Sequence, residues 1–258
     1  MGSTPARLTV VEIPELIDSL QREGDLLAAA AAASGADAAI PPCPGWTMRD
    51  LVLHVGGVHR WATAFVAGAH ADPAAVDFDA AVGPSPAEAH LVDWFREGHA
   101  GLVSTLRAAD PKMQCWTFLP APSPLAFWAR RQAHETGIHR VDAESASGPV
   151  TTFAPDVAVD GLNELLLRFA SRPKARPVEE PRILHVHASD AAEDWFITVG
   201  PEQIDVSSDG ADAHCTIDAT ASELFVLLWN RRGPDGLDVS GDAGILDLWR
   251  DSVRIRWS

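Results

Sequence analysis

The stretch TMRDLVLHVGGVHRWATAFVAG, residues 47–68, reads as one amphipathic helix. Thr47 and Asp50 stand in the capping-box pattern, side chain to backbone in both directions. Leu51, Val55, Val58, Ala62 and Phe65 then recur at helical spacing, and Gly68 stops the run. Three more helices flank it. One runs from about Ile13 to Ala33, with Ile17, Leu20 and Leu27 inward and Gly35 as its stop. Another is predicted from Ser85-Pro86, where Ser85-x-x-Glu88 offers a second capping box. Leu91, Trp94, Phe95, Leu102, Val103 and Leu106 mark its buried face, and Asp110-Pro111 ends it. The fourth opens at Ser123-Pro124, passes through Phe127, Ala133 and Ile138 to about Ser145, and is stopped by Gly148-Pro149. Residues 69–84 read as a loop. Four consecutive helices of this length predict a four-helix bundle, whose sites are built in the core from facing helices.

After Pro149 the pattern changes. A helix is predicted from Asp156 to Ala170, then a proline-rich linker over Ser171–Pro181. Short strands follow at Ile183–Ala188, Trp195–Val199, Gln203–Ser207 and His214–Asp218, as a small antiparallel sheet. Thr220-x-x-Glu223 caps a helix to Asn230. Leu237–Ser240 and Val253–Trp257 read as strands, with a short helix at Ile245–Trp249 between them. The fold class is therefore α then α+β, with residues 1–150 as the bundle and 151–258 as a small α+β domain.

The chain has 258 residues, of which 36 are Asp or Glu and 20 Lys or Arg, giving a formal charge of −16. That acidity argues against nucleic acid and anionic membranes as partners, since both are met with basic surface. The three cysteines, Cys43, Cys115 and Cys215, are too few and too scattered for a disulfide framework. A reducing cytoplasm is the expected compartment. The longest apolar run, Leu26–Ala33, falls short of the roughly 20 residues of a membrane span. The N-terminal residues show neither a signal-peptide core nor, with alanine at position 6, a myristoylation pattern.

The chemistry concentrates in RQAHETGIHR, residues 131–140. Glu135 and His139, four apart, lie about 40° from one another around a helix and share a face. His134 and His139 are about 140° apart, which rules out the two-histidine zinc-protease motif. A third ligand has to come from another helix. His54 is the candidate, because Leu51, Val55 and Val58 place it on the face predicted to be buried. His59, beside Arg60, is expected in solvent, His70 in a loop, and His90 and His99 exposed among charges. Two imidazoles and a carboxylate leave one position of a tetrahedral zinc open. Such an ion strips the proton from a bound thiol, or lowers the pKa of bound water towards ~7. The chain's own cysteines have no basic partner in sequence, so an external thiol fits better.

Together, Cys43-Pro-Gly-Trp-Thr-Met-Arg-Asp-Leu-Val-Leu-His54-Val-Gly56 and His134-Glu-Thr-Gly-Ile-His-Arg-Val-Asp-Ala-Glu144 resemble the mycothiol-dependent maleylpyruvate isomerase family, of the wider DinB-like bundles. Leu227-Leu-Trp-Asn-Arg231 and Val239-Ser-Gly-Asp242 resemble its second, sterol-carrier-like domain. The resemblance implies Zn2+ or another divalent metal on His54, Glu135 and His139. It also implies mycothiol, the small thiol of actinobacteria, as cofactor, and a small electrophile as substrate. Arg231, or Arg232 in its place, is implied as a catalytic or thiol-binding residue facing the metal across a cleft. The alternative role for either arginine is to complement a helix dipole. No Lys or Arg occurs between Arg60 and Arg96, which fits a dicarboxylate substrate poorly. The leading reading is an enzyme that activates mycothiol for isomerisation or transfer. The alternatives are a non-enzymatic small-ligand module with a structural or absent metal, and metal-assisted hydrolysis. The oligomeric state is left open.

Overall fold

The computed structural model describes residues 11–172, 176, 178–210 and 212–253. Glu12–Thr151 form one compact unit. The described residues from Thr152 onward, joined by Val11, form a second.

The first unit is built on four long helices: α1 (Ile13–Ser34), α2 (Met48–Gly68), α4 (Leu91–Ala108) and α5 (Pro124–Ser145), with a short α3 (Phe78–Val82) after α2. Local chemistry starts most of them. The Thr47 side chain accepts from the Asp50 amide while Asp50 reaches back to the Thr47 amide, closing the predicted box. Ser123 caps α5, with Pro124 in the first turn, where its missing N–H costs nothing. α1 packs chiefly on α5, and α2 on α4. One core cluster joins Leu27, Met48, Leu51, Val52, Val55, Leu91, Phe95 and Ala143. Each fully buried Leu, Val or Phe contributes about 1.5–3 kcal/mol. A second knot is aromatic: Trp61, Phe65, Trp116 and Trp128 meet with ring centroids 5.1–6.5 Å apart.

Two expectations need correction here. The stretch after α2 is not a plain loop: Asp72 caps a 3-10 turn at Pro73–Ala75, and Asp77 caps α3. The helix predicted from Ser85 begins later. A 3-10 turn at Glu88–His90 precedes α4, whose first residue, Leu91, is also its first buried one. The Ser85 box offered only local hydrogen bonds, whereas the start at Leu91 follows the apolar face that docks on α2.

In the second unit, α6 (Pro155–Glu164) continues as a π-helical turn over Leu165–Ala170. Five strands follow: β1 (Arg182–Ala188), β2 (Glu193–Val199), β3 (Ile204–Ser207), β4 (Cys215–Ala219) and β5 (Asp238–Gly241), in the order β3-β2-β1-β4-β5. Alternation sets the faces. Leu184, Val186 and Ala188 point inward with Trp195, Ile197 and Val199, while His185 and His187 take the other side. The sheet is mixed rather than antiparallel, because β4 pairs with β1 in parallel. α7 (Ala221–Leu228) starts at the predicted Thr220–Glu223 box but ends before Asn230, which takes a left-handed φ of 61°. α8 (Gly244–Ser252) follows β5. The predicted strand at Val253–Trp257 and part of the predicted linker lie outside the described residues. Among the described residues no helix is long and apolar enough to cross a membrane.

Candidate metal centre

α5 is unusual in that every residue from Arg131 to Ala143 is buried, although many are charged or polar. Glu135 and His139 project from one face of it, and α2 brings His54 to them from 81 residues away. One ligand atom from each lies within 4.8 Å of the others. His54 Nε2 is 3.3 Å and His139 Nε2 3.2 Å from the same oxygen, Glu135 Oε1. The two imidazole rings meet edge to face, 5.0 Å between centroids. His139 and Glu135 are nearly inaccessible, while 19% of the His54 side chain is exposed, so the cluster opens on the His54 side.

Neighbours hold these side chains in place. Arg131, one turn before Glu135, donates to Oε2 at 2.7 Å, which leaves Oε1 turned to the histidines. His139 Nδ1 lies 2.8 Å from Asp142 Oδ2, and the Cys43 thiol donates to that same oxygen at 3.5 Å. Trp46 stands edge-on to His54 at 5.3 Å and stacks parallel to His139 at 6.4 Å. Burial alone would raise the Glu135 pKa. Hydrogen bonds to His139 and His54, with the charges of His139 and Arg131, hold it well below the usual carboxylate range. Burial alone would lower His139, but hydrogen bonds to Asp142 and Glu135 push it up to about 9 in the metal-free protein.

The other histidines stay apart from this cluster. His59, expected in solvent, is fully buried with Nε2 2.8 Å from Thr136 Oγ1; burial first, and the His99 charge next, hold its pKa well below normal. His99, also expected exposed, is 4% exposed, with Nε2 3.2 Å from the Gln21 carbonyl. Their sequence neighbours are charged, but neighbours on a helix point about 100° away. Both imidazoles turn into the bundle interior, His59 towards α5 and His99 towards α1. His70 is in a loop and His90 is exposed, as expected. Cys115 and Cys215 are buried, and burial raises both thiols. Arg60 is occupied at the α2–α4 contact, donating to the Gly56 and Trp94 carbonyls with its guanidinium 3.8 Å over the Trp94 ring.

Arg131 and Asp142 had no role assigned from sequence, although their spacings of four and three residues from the ligands were available to find them. In the second unit, Arg231 and Arg232 follow the end of α7. Arg231 donates to the Trp229 carbonyl. Arg232 places its three nitrogens on Gly233 O, Glu223 Oε1 and Asp235 O.

Residues 17–144 match the family model of the mycothiol maleylpyruvate isomerase N-terminal domain, and residues 156–248 that of the MDMPI C-terminal domain. No curated protein sequence matches the chain. Among solved structures it is similar to a mycothiol-dependent maleylpyruvate isomerase, with 14% identity and a TM-score of 0.63 over 90% of this chain and 95% of the other. A histidine-to-alanine mutant of such an isomerase matches with the same identity and coverage, at a TM-score of 0.62. At that identity the likeness speaks for the fold. With both family models placed in order along one chain, the protein belongs to the mycothiol-dependent maleylpyruvate isomerase family.

Proposed function

We propose that the protein is a metal-dependent enzyme that uses mycothiol to isomerise, or to be transferred to, a small electrophilic substrate. The observation that carries this reading is the meeting of His54, Glu135 and His139 within 4.8 Å, on two helices distant in sequence. These residues fit a divalent ion. Two imidazoles and a carboxylate are the donors zinc takes, and three protein ligands leave a position open. The carboxylate offsets one of the two positive charges. Arg131 and Asp142 keep the donors aimed.

A divalent ion held there would lower the pKa of a thiol or a water brought to it, so that a nucleophile exists near neutral pH. The remaining contributions are the protein's own. Glu135 stays ionised, Trp46 walls one side, and the partly exposed His54 marks the side from which a thiol approaches. For the thiol's contact in the second unit, the family resemblance offers Arg231 or Arg232, both of which follow the end of α7.

Metal analysis of the purified protein and of His54→Ala, Glu135→Ala and His139→Ala tests the centre. Stoichiometric zinc in the parent and its loss in each variant is the expected result. Zinc retained in all three variants would remove the site. Turnover of maleylpyruvate and of neutral electrophiles, with and without mycothiol, tests the thiol. Equal rates in both would remove the thiol from the reading, and a product that has gained water would turn it to hydrolysis.

A further inference from the structure

His139 is a member of the cluster whose orientation is set from within its own helix. Asp142 is fully buried and lies three residues after His139 on α5. Helical side chains lean towards the N-terminus, so the Asp142 carboxylate reaches back over the His139 ring. Its Oδ2 is 2.8 Å from Nδ1, and a buried carboxylate at that distance accepts the Nδ1 proton. That choice leaves Nε2, which faces Glu135 Oε1 at 3.2 Å, as the nitrogen whose lone pair a metal can use. The same Asp142 oxygen accepts from the Cys43 thiol, in the segment that also carries Trp46. The imidazole is thus fixed at one edge by Asp142 and on one face by the parallel Trp46 ring.

We infer that Asp142 is a positioning residue: it fixes the His139 tautomer and ring plane so that Nε2 is the metal-binding atom, and it thereby sets the affinity of the centre. This rests on the metal reading proposed above. The physical basis is general. A carboxylate accepting from the far nitrogen of a ligating histidine orients the ring and raises its basicity, and its loss typically costs about 10–100-fold in metal affinity. Glu135 has a counterpart in Arg131, which fixes its other oxygen.

Zinc affinity of the full chain, measured by competition with a chromophoric chelator, tests the inference for the parent, His139→Ala, Asp142→Asn and Asp142→Glu. The parent binds zinc and His139→Ala loses it. Asp142→Asn weakens binding about 10–100-fold, and Asp142→Glu recovers part of the loss by restoring an anionic acceptor. A parent that binds no zinc overturns the metal reading, and this inference with it. A parent that binds and an Asp142→Asn that binds within about threefold overturns the positioning role alone, since such a change is far below the effect expected of an orienting carboxylate. A second measurement needs no variant and covers an Asp142→Asn that fails to fold. Nitrogen-15 NMR of the zinc-loaded parent should show His139 metallated at Nε2 and protonated at Nδ1. Metallation at Nδ1 would overturn the inference.

Discussion

Zinc binding should be strongly pH-dependent above neutrality, because the metal must displace a proton from His139. In the metal-free protein that imidazole is pushed up to about 9, the hydrogen bonds and charges of Asp142 and Glu135 having overcome the effect of burial. At pH 7 only about 1% of molecules then carry it neutral. Glu135, held well below the usual carboxylate range, is already ionised and releases nothing. Apparent zinc affinity should therefore rise about tenfold per pH unit, or ~1.4 kcal/mol, from about pH 7 to 9, and then level. Calorimetry in buffers of different ionisation enthalpy should show His139 releasing about one proton at pH 7. The metal-free protein should show the linked effect with opposite sense. The folded state holds this proton more tightly than the unfolded chain, whose histidine titrates near the ordinary 6.5. The stabilisation, on the order of 3 kcal/mol, is complete below about pH 6.5 and lost as pH rises through about 9. Urea midpoints across that range measure it, and zinc should abolish the slope. An affinity flat from about pH 7 to 9, in a protein that still needs His139 for zinc, would refute the reasoning.

Three further outcomes follow from the packing and the second unit. Arg140 is fully buried, with Nε 2.6 Å from the buried Glu23 and NH1 on Glu144, so Arg140→Met should cost about 3–5 kcal/mol in urea denaturation. Adding Glu23→Gln should recover only part of that loss, because Glu23 keeps a pair with Arg22 and Glu144 also loses its ion pair. Gly24→Ala would put a Cβ 2.3 Å from the His99 ring and should lower the melting temperature by an amount equivalent to about 1–3 kcal/mol. In the second unit, Arg231→Ala or Arg232→Ala, whichever removes the arginine that meets the thiol, should raise the KM for mycothiol with the zinc content unchanged. Arg232→Ala should cost under about 1 kcal/mol of stability, its pair with Glu223 being partly exposed.

What could be read from the sequence was what helices and strands encode locally. Thr47, Ser123 and Thr220 announced helix starts because a cap is a contact within three residues. Glu135 and His139 announced a shared face for the same reason. Short runs between turn residues gave the strands of the second unit, but nothing in a strand states whether its neighbour runs with or against it. The parallel pairing of β1 with β4 joins residues about 31 apart and was therefore missed. His59 fails as a solvent-facing residue on the same ground. Its partner, Thr136, sits 77 residues away, and its surroundings are made by two other helices.

The bounds of α5 were legible, but its all-round burial was not. A helix with apolar residues on one side shows its buried face by period, but α5 is buried all round between Arg131 and Ala143 while carrying two arginines, two histidines, a glutamate and an aspartate there. Such a helix has no apolar stripe to read. It is tolerable inside the protein only because its charges are paired: Arg131 with Glu135, His139 with Asp142, and Arg140 with Glu23 and Glu144. Buried ion pairs contribute little net stability against apolar packing of the same volume, since desolvation consumes most of the attraction. A core helix built from them instead of leucines has given up stabilisation that the sequence could have had. The compensation is positional. Arg131 and Asp142 each act on a member of the His54–Glu135–His139 cluster, and Arg140 anchors the same helix to α1 just beyond it. The polar interior of α5 is best understood as the support of the centre, with the apolar faces of α1, α2 and α4 left to hold the bundle together.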